Sequence, residues 1–413
     1  MLKNYLKIAI AVLKRRKFFT FISLFGISFS LTILIVVTAF IDNGIRPGYP
    51  DTNRDRCLYI TYVELQNTVQ HNHWSGSGSF YFIDHYTRLL KTPATVAVSS
   101  MPSPTNTYIN NRKLYIAMKF TNAAYWQVLN YTFLEGKPYN EQQVANGDPV
   151  VVISEGLKKS YFGDEASVIG KYIEADNVQY RVIGVVGNVA ITNLYVFSDI
   201  YLPYTVSKAN YKDQSFIGNY NAIILPQSPA DLNKIRDEYD HIVSSIPLPK
   251  EFDLLTAHAD SYLETFTRFA FGGSKKTNSG FTSFVLVVIF FATLFLLLPT
   301  LNLVNINISR ILDRSSEIGV RKAFGASSAT LVLQFIVENI LLTLLGGVIA
   351  ILLSIVVLKV INNSHFLQNT VLNVNFTVVF YAIIASLVFG FFSGVYPAWR
   401  MSKLNAVDAL KQS

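Results

Sequence analysis

The apolar positions of this chain fall into four long blocks separated by polar stretches of unequal length. Residues 18–41 carry no charge, and a helix of that length, rising about 1.5 Å per residue, crosses a hydrocarbon core of about 30 Å. After a long polar interval, residues 281–308 are again uncharged, with Pro299 in the second half, where a kink is expected. Residues 331–358 are interrupted only by Glu338, and residues 376–396 carry no charge. The pattern predicts four transmembrane helices, which puts both termini on one side of the membrane. Val37-Thr38-Ala39 loosely resembles a signal-peptidase site, but the first apolar run is much longer than the about 7–15 residues of a signal-peptide core.

Residues 42–280 are patterned as a water-exposed domain. Strand, helix and strand are predicted over 57–63, 80–90 and 94–99, and the same order recurs over 221–225, 231–246 and 252–256. The later helix is well specified: Ser228 can cap it, Pro229 suits its first turn, and Leu232, Ile235, Tyr239, Ile242 and Ile246 share a face. The two βαβ halves, residues 55–100 and 216–268, make one α/β lobe. Residues 105–205 alternate β-rich runs with turn residues and read as a β-rich insertion, the second lobe. The expected fold class is an α+β membrane protein, with four transmembrane helices and a large two-lobed α/β extracytoplasmic domain between helices 1 and 2.

Composition agrees with this division. Only 15% of residues are charged against about 25% in an average soluble domain, 51% are hydrophobic, and mean hydropathy is +0.32. A wholly soluble enzyme is disfavoured. The formal charge of +8 arises in part from Lys3, Lys7, Lys14, Arg15, Arg16 and Lys17 in the segment 1–17, which directly precedes the first apolar block. The loop 309–330 carries Arg310, Arg314, Arg321 and Lys322, and the tail 397–413 carries Arg400, Lys403 and Lys411. One orientation gathers all three basic segments on the cytoplasmic side and leaves 42–280 and the short loop 359–375 outside. No basic stripe with interleaved aromatics marks the middle region, which argues against nucleic acid. The single cysteine, Cys57, cannot form an internal disulfide. Leu2, Leu6, Ala9 and Leu13 lie near one helical face, as in an amphipathic helix on the inner leaflet.

Several ordered motifs carry a family resemblance. Trp126, Leu129, the run Phe133-Leu134-Glu135-Gly136-Lys137-Pro138, Val151-Val152-Ile153-Ser154, Tyr161-Phe162-Gly163-Asp164, Ile169-Gly170-Lys171 and Val182-Ile183-Gly184-Val185-Val186 resemble the periplasmic core domain of MacB-type permeases. The run from Glu317 through Gly319, Arg321, Lys322 and Gly325 to Ser327, then Glu338, Gly346-Gly347 and Tyr396-Pro397-Ala398-Trp399-Arg400, resembles the FtsX-type membrane domain of the same superfamily. The resemblance implies a permease of the bacterial cell inner membrane that works as a homodimer or paralogous heterodimer with an ABC ATPase, together with the lipid bilayer and a periplasmic or outer-membrane partner. The macrolide-exporting member carries its ATPase fused ahead of the first span, whereas 17 residues precede it here, so a separate ATPase subunit is expected. No GxxxxGK[ST] phosphate loop occurs in the sequence, and no cofactor is expected on this polypeptide, ATP being bound by the partner subunit.

Candidate working residues follow. Glu317 and Arg321 stand i,i+4 with the acid first, the favourable order on a helix, and Gly325 can end that helix. The resemblance makes this an ATPase-coupling element built from Glu317, Gly319, Arg321, Lys322 and Gly325; the plainer alternative is an ordinary basic cytoplasmic loop. Glu338, with Gln334 one turn earlier, is an intramembrane polar pair expected to face protein or water, in structural pairing or in direct mechanistic duty. Gly346, Ala350 and Ser354, and Ser386, Gly390 and Gly394, recur every four residues and let helix backbones approach. His71, His73 and His85 form no recognisable metal spacing, and no catalytic set stands out. The expected function is relay of ATP-driven motion to the extracytoplasmic domain for export or lipoprotein release; the alternative is an FtsX-like regulator of an external partner such as a cell-wall hydrolase.

Overall fold

The computed structural model describes residues 2–15, 17–109, 112–271, 279–312, 328–364 and 369–402. They form two compact units, Gly44–Phe284 with Leu367–Thr370, and Met1–Asn43 with Val285–Phe366 and Val371–Ser413.

Helices α1 (Leu2–Arg15) and α2 (Lys17–Ile45) open the chain. The first part of the mixed unit holds β1 (Leu58–Ile60), β2 (Val63–Asn67), β3 (Asn72–Gly78), α3 (Phe80–Thr87) and β4 (Ala94–Ser100). Next come β5 (Ser103–Ile109), β6 (Arg112–Thr121), α4 (Tyr125–Val128), β7 (Phe133–Gly136), α5 (Glu141–Asn146), β8 (Val150–Ser154), α6 (Glu155–Phe162), β9 (Tyr172–Ala175), β10 (Val178–Val186) and β11 (Ile200–Pro203). The unit closes with β12 (Ile217–Gly218), β13 (Tyr220–Pro226), α7 (Leu232–Ser244), β14 (Leu254–Ala257) and α8 (Tyr262–Phe271).

A single strand path runs β14-β2-β3-β13-β4-β6-β11-β8-β10-β7, so strands of the α/β lobe and of the β-rich insertion, expected as two lobes, belong to one sheet. β1 and β4 each pair antiparallel with β13, so strand, helix and strand over β1, α3 and β4 form a split βαβ unit. In the segment expected to be β-rich, β8 and β10 pair in parallel across α6. That parallel pairing needs a crossover element, and Ser154 starts it by accepting the Leu157 N–H at 3.2 Å. β8 is buried along its whole length, as a covered parallel strand should be.

The hairpin β2–β3 was not visible in the periodicity. β3 reads Asn-His-Trp-Ser-Gly-Ser-Gly, with no β-branched residue, and it forms because β2 offers it a ladder from Val63↔Gly76 to Asn67↔Asn72. Ser228 accepts the Ala230 N–H at 3.3 Å in a short 3₁₀ turn, and α7 then buries Ile235, Tyr239 and Val243. Val243, rather than the expected Ile242, completes that face.

The helical unit adds α9 (Phe281–Leu312), α10 (Ser328–Asn363) and α11 (Phe376–Ser402). Its core joins Leu13, Ile27, Leu31, Ile35, Leu342, Ala350, Val379 and Ala382. Among the described residues, two helical stretches are long and apolar enough to cross a bilayer, Lys17–Ile45 and Val332–Asn363. The stretches Phe281–Phe295 and Phe376–Phe392 are apolar but shorter, so two of the four expected spans reach full length by this measure.

Candidate functional site

Within the mixed unit, buried charges concentrate where the chain leaves α2 and where it approaches α9. The Arg54 guanidinium, 5% exposed, donates from Nε to Asp51 Oδ2 at 2.9 Å and from Nη1 to the carbonyls of Gly44 and Arg46 at 3.0 Å each. Gly44 lies in the last turn of α2, so one planar fork ties that helix end to the loop beyond it. Tyr59 donates its hydroxyl to the same Asp51 oxygen at 2.8 Å. Burial pushes the Asp51 carboxyl up, against the opposing pull of Arg54 and the Tyr59 hydrogen bond.

The opposite face of Arg54 lies over the Tyr262 ring at 4.0 Å, and Tyr262 opens α8. α8 is then fixed at three further points. Arg268 clamps Asp260 through two bonds of 2.6 and 2.9 Å, and Asp260 exchanges backbone hydrogen bonds with Tyr59 at 2.7 and 2.9 Å. Glu264 accepts Arg236 Nη2 of α7 at 2.7 Å and the Ser261 N–H at 2.8 Å. Burial opposes the Glu264 carboxylate, yet the Ser261 bonds and Arg236 hold its pKa below the usual value. Phe266 and Phe271 each lie 6.0 Å from Phe284 in the first turn of α9. The short helix α8 therefore meets Arg54, Phe284, the sheet and α7, all within the mixed unit. Polar contacts hold it to the sheet, with Thr265, Thr267 and Arg268 buried, so its seat depends on direction as well as on burial.

Sequence reasoning missed this joint. A signal was present: Asp51 and Arg54 stand i,i+3 just beyond the first apolar block, and Asp260, Glu264 and Arg268 cluster just ahead of the second.

A second set of polar groups lies deeper. Lys119 on β6 is fully buried, and its Nζ donates to the carbonyls of Ser100 at 2.8 Å and Tyr195 at 2.9 Å. Both acceptors are neutral, so burial pushes the ammonium pKa down to about 7. Nearby in register, Asn221 is opposite Ser99, which is opposite Thr121 of β6, and neither side-chain polar atom of Asn221 has a partner among the described residues. An unfolded lysine titrates near 10.4. Between about pH 7 and 10 the unfolded chain therefore holds a proton that the folded chain releases, and stability rises with pH by at most ~1.4 kcal/mol per unit. Denaturation of the purified chain and of Lys119→Met at pH 7, 8 and 9 should show wild type gaining on the variant as pH rises; parallel profiles would refute a buried, titrating lysine.

In the helical unit, the polar pair expected within the third apolar block is buried: Glu338 is 2% exposed and Gln334 7%. Neighbouring Asn339 is also buried, and its carbonyl accepts the Thr343 hydroxyl at 3.0 Å. Gly346 faces Ile27 of α2, where a Cβ would lie 2.6 Å from Ile27 Cγ2. One turn on, the Ala350 carbonyl accepts Thr32 Oγ1 at 3.4 Å and Ser354 Oγ at 2.7 Å. A Cβ at Gly390 of α11 would lie 2.7 Å from Thr343 Oγ1 of α10. Ser386 is buried on the same helix, and Gly394 falls within it. Gly346 and Ala350 of α10 thus meet α2, and Gly390 of α11 meets α10, within one chain. Glu317, Gly319, Arg321, Lys322 and Gly325, the expected coupling residues, lie outside the described residues.

Two known families match this chain in order, the MacB-like periplasmic core domain over residues 20–242 and the FtsX-like permease C-terminal over residues 289–406. The macrolide export ATP-binding/permease protein MacB of Acinetobacter baylyi is 28% identical over 334 residues, 78% of this chain and 47% of that protein. MacB of Escherichia coli K12 is 26% identical over 306 residues, 73% of this chain and 44% of its own length. The chain thus spans about half the length of the curated relatives it matches. Among solved structures, the periplasmic region of MacB from Actinobacillus actinomycetemcomitans aligns with a TM-score of 0.36 at 17% identity, covering 52% of this chain and 96% of that one. The extracellular domain of the Gram-positive transporter YknZ aligns at 0.35 and 16% identity, covering 45% and 91%.

Proposed function

The chain belongs to the family that joins a MacB-like periplasmic core domain to an FtsX-like permease domain, and from that premise we propose that it is the permease subunit of an ATP-binding-cassette transporter. In this reading α2, α9, α10 and α11 are the four membrane spans, both termini are cytoplasmic, and the mixed unit is extracytoplasmic. The subunit pairs with a second copy or a paralogue, and a separate ATPase drives it. Motion of the spans is relayed to the mixed unit, which acts in export or in release of a lipoprotein at the outer face.

The observation that carries the relay is the joint. Residues at the end of α2, in α8 and at the start of α9 meet through Arg54, Tyr262 and Phe284, and Arg268 and Glu264 pass on from α8 to the sheet and to α7. In this reading the ring contacts of Tyr262 with Arg54 and of Phe266 and Phe271 with Phe284 receive the motion, and the ion pairs Arg268–Asp260 and Arg236–Glu264 pass it on, because paired charges hold direction where apolar contacts slide.

The test is gentle solubilisation from the native membrane, purification through a tag, and an ATP hydrolysis assay on what co-purifies. A stoichiometric nucleotide-binding subunit with vanadate-sensitive hydrolysis is expected. Purification of this chain alone, with no ATPase activity, would overturn the transporter reading in favour of an anchored or regulatory domain.

A further inference from the structure

The first helix spends its apolar face on protein. The sequence pattern sets α1 on the inner leaflet by that face, yet Ala9 is 0% and Leu13 8% exposed. Leu13 joins the core of the helical unit with Ile27, Leu31 and Leu342, and α1 packs on α10. The Leu13 carbonyl also accepts the Thr20 hydroxyl at 3.1 Å, so the last turn of α1 stands beside the first turn of α2. α1 is therefore held by protein and does not need apolar insertion to keep its place. Among the described side chains of α1, Ile10 is the one large apolar group left exposed, at 41%.

What α1 and the start of α2 turn outward is positive. Lys7, Lys14, Arg15 and Lys17 are exposed, and among the described residues none of them pairs with a carboxylate. Lys7 and Lys14 share one helical face and stand about 10 Å apart along the axis. No acid precedes Asp42 in the sequence. Cations fixed this close repel one another, and a counter-charge supplied from outside removes that cost. The Thr20 bond sets their depth: Lys14, Arg15 and Lys17 flank the point where the apolar run of α2 starts at Phe18, itself 70% exposed. In a membrane span that point lies at the boundary between lipid and water.

We infer that the elbow of α1 and the start of α2 is an anionic-lipid contact, with Lys7, Lys14, Arg15 and Lys17 paired to headgroup phosphates of the cytoplasmic leaflet. The inference rests on the reading of α2 as a membrane span with a cytoplasmic N-terminus. The partner is lipid because the cations are of one sign, unpaired, and placed by the Thr20 bond at the depth where headgroups lie. The hold is electrostatic, since Ala9 and Leu13 are already covered by protein. Each Lys or Arg near an anionic surface favours it by about fivefold, so four of them select anionic over zwitterionic lipid. The role that follows is an anchor: the headgroups fix α1, and Leu13 carries that hold into the core of the helical unit.

The experiment uses the full chain in phosphatidylcholine vesicles, with Ala11→Cys, exposed between Lys7 and Lys14, carrying a fluorophore. Cys57 is buried and its thiol is pushed up to about 12, so it does not compete for the label. Leu352→Cys, 59% exposed on α10, is the control for span insertion. The quencher is phosphatidylglycerol or phosphatidylcholine, each spin-labelled at the same shallow acyl position. At about 20 mM salt the anionic lipid should quench the Ala11 probe at about a tenth of the concentration the zwitterionic lipid needs, and at about 0.5 M the two should converge. Lys7→Gln with Lys14→Gln, both exposed and both good helix formers, should bring that ratio below about threefold with thermal unfolding unchanged. An unchanged ratio in that variant, or equal quenching by the two lipids in wild type while Leu352 is quenched, refutes the contact and leaves the span reading standing. If neither lipid quenches the Ala11 probe although both quench Leu352, protein covers the elbow and the lipid assignment is overturned. Inorganic phosphate that abolishes the preference where chloride of equal ionic strength does not would reassign the cations to a soluble anion. If lipid fails to quench Leu352, the span reading fails and the contact falls with it.

Discussion

Arg54→Ala will destabilise the mixed unit by about 3–5 kcal/mol, the usual cost of removing one partner from a buried ion pair. The substitution leaves the Asp51 carboxylate, 1% exposed, without its cation, and it takes the donor from the Gly44 and Arg46 carbonyls at once. Because Asp51 in the folded variant binds a proton more readily than in the unfolded chain, the variant should recover stability as pH falls toward the carboxylate range. Arg54→Lys separates folding from relay. An ammonium keeps the charge but has no planar fork, so it cannot serve Asp51 and both carbonyls together, nor stack flat on Tyr262. We expect Arg54→Lys to fold with a smaller loss in thermal unfolding and yet to lose most of the substrate-stimulated ATPase activity of the reconstituted complex. Wild-type stimulation in Arg54→Lys would remove the joint from the mechanism.

Charge count and hydropathy located the long apolar helices but not the polar groups that gather around α8. The block 18–41 falls within α2 because its long uncharged apolar run holds no proline to break a helix, and that helix is long and apolar enough to cross a bilayer. α7 was legible because Ser228, Pro229 and the spacing of Ile235 and Tyr239 are local signals. By contrast, Arg268 is eight residues from Asp260, and Glu264 reaches Arg236 across 28 positions. No periodicity encodes such pairs; they exist only once the sheet brings α7 and α8 together. β3 failed for a related reason: its side chains favour no strand, and its register comes from β2. α6 was hidden because Ser154 serves both as the last residue of a buried strand and as the cap of the helix that follows. Gly346 lies between these cases: four-residue spacing marked it as a packing position, but its partner, Ile27, lies more than 300 residues away in sequence.

That partner makes Gly346 the site of the second large effect. A Cβ at 346 would lie 2.6 Å from Ile27 Cγ2 and 3.0 Å from Ile27 Cβ. Ile27 is 4% exposed, and a β-branched side chain in a helix has essentially one χ1 rotamer, so it cannot swing aside. The helices themselves have to separate, which also stretches the Thr32 bond to the Ala350 carbonyl one turn away. Gly346→Ala is therefore expected to destabilise the helical unit by about 1–3 kcal/mol, the range for overpacking. Gly347→Ala is the matched control, since a Cβ there would sit 3.7 Å from Ile383 Cγ1, an ordinary contact, and alanine favours the helix by up to about 1 kcal/mol. Thermal unfolding in mild detergent should fall for Gly346→Ala and hold or rise for Gly347→Ala. The cause is isolated by Ile27→Ala combined with Gly346→Ala. If the clash is the mechanism, the double variant is more stable than the sum of the two single losses, because the space vacated by Ile27 accepts the new methyl. Strict additivity would mean that α10 and α2 do not meet at this seam, and the close approach of the two helices would have to be abandoned.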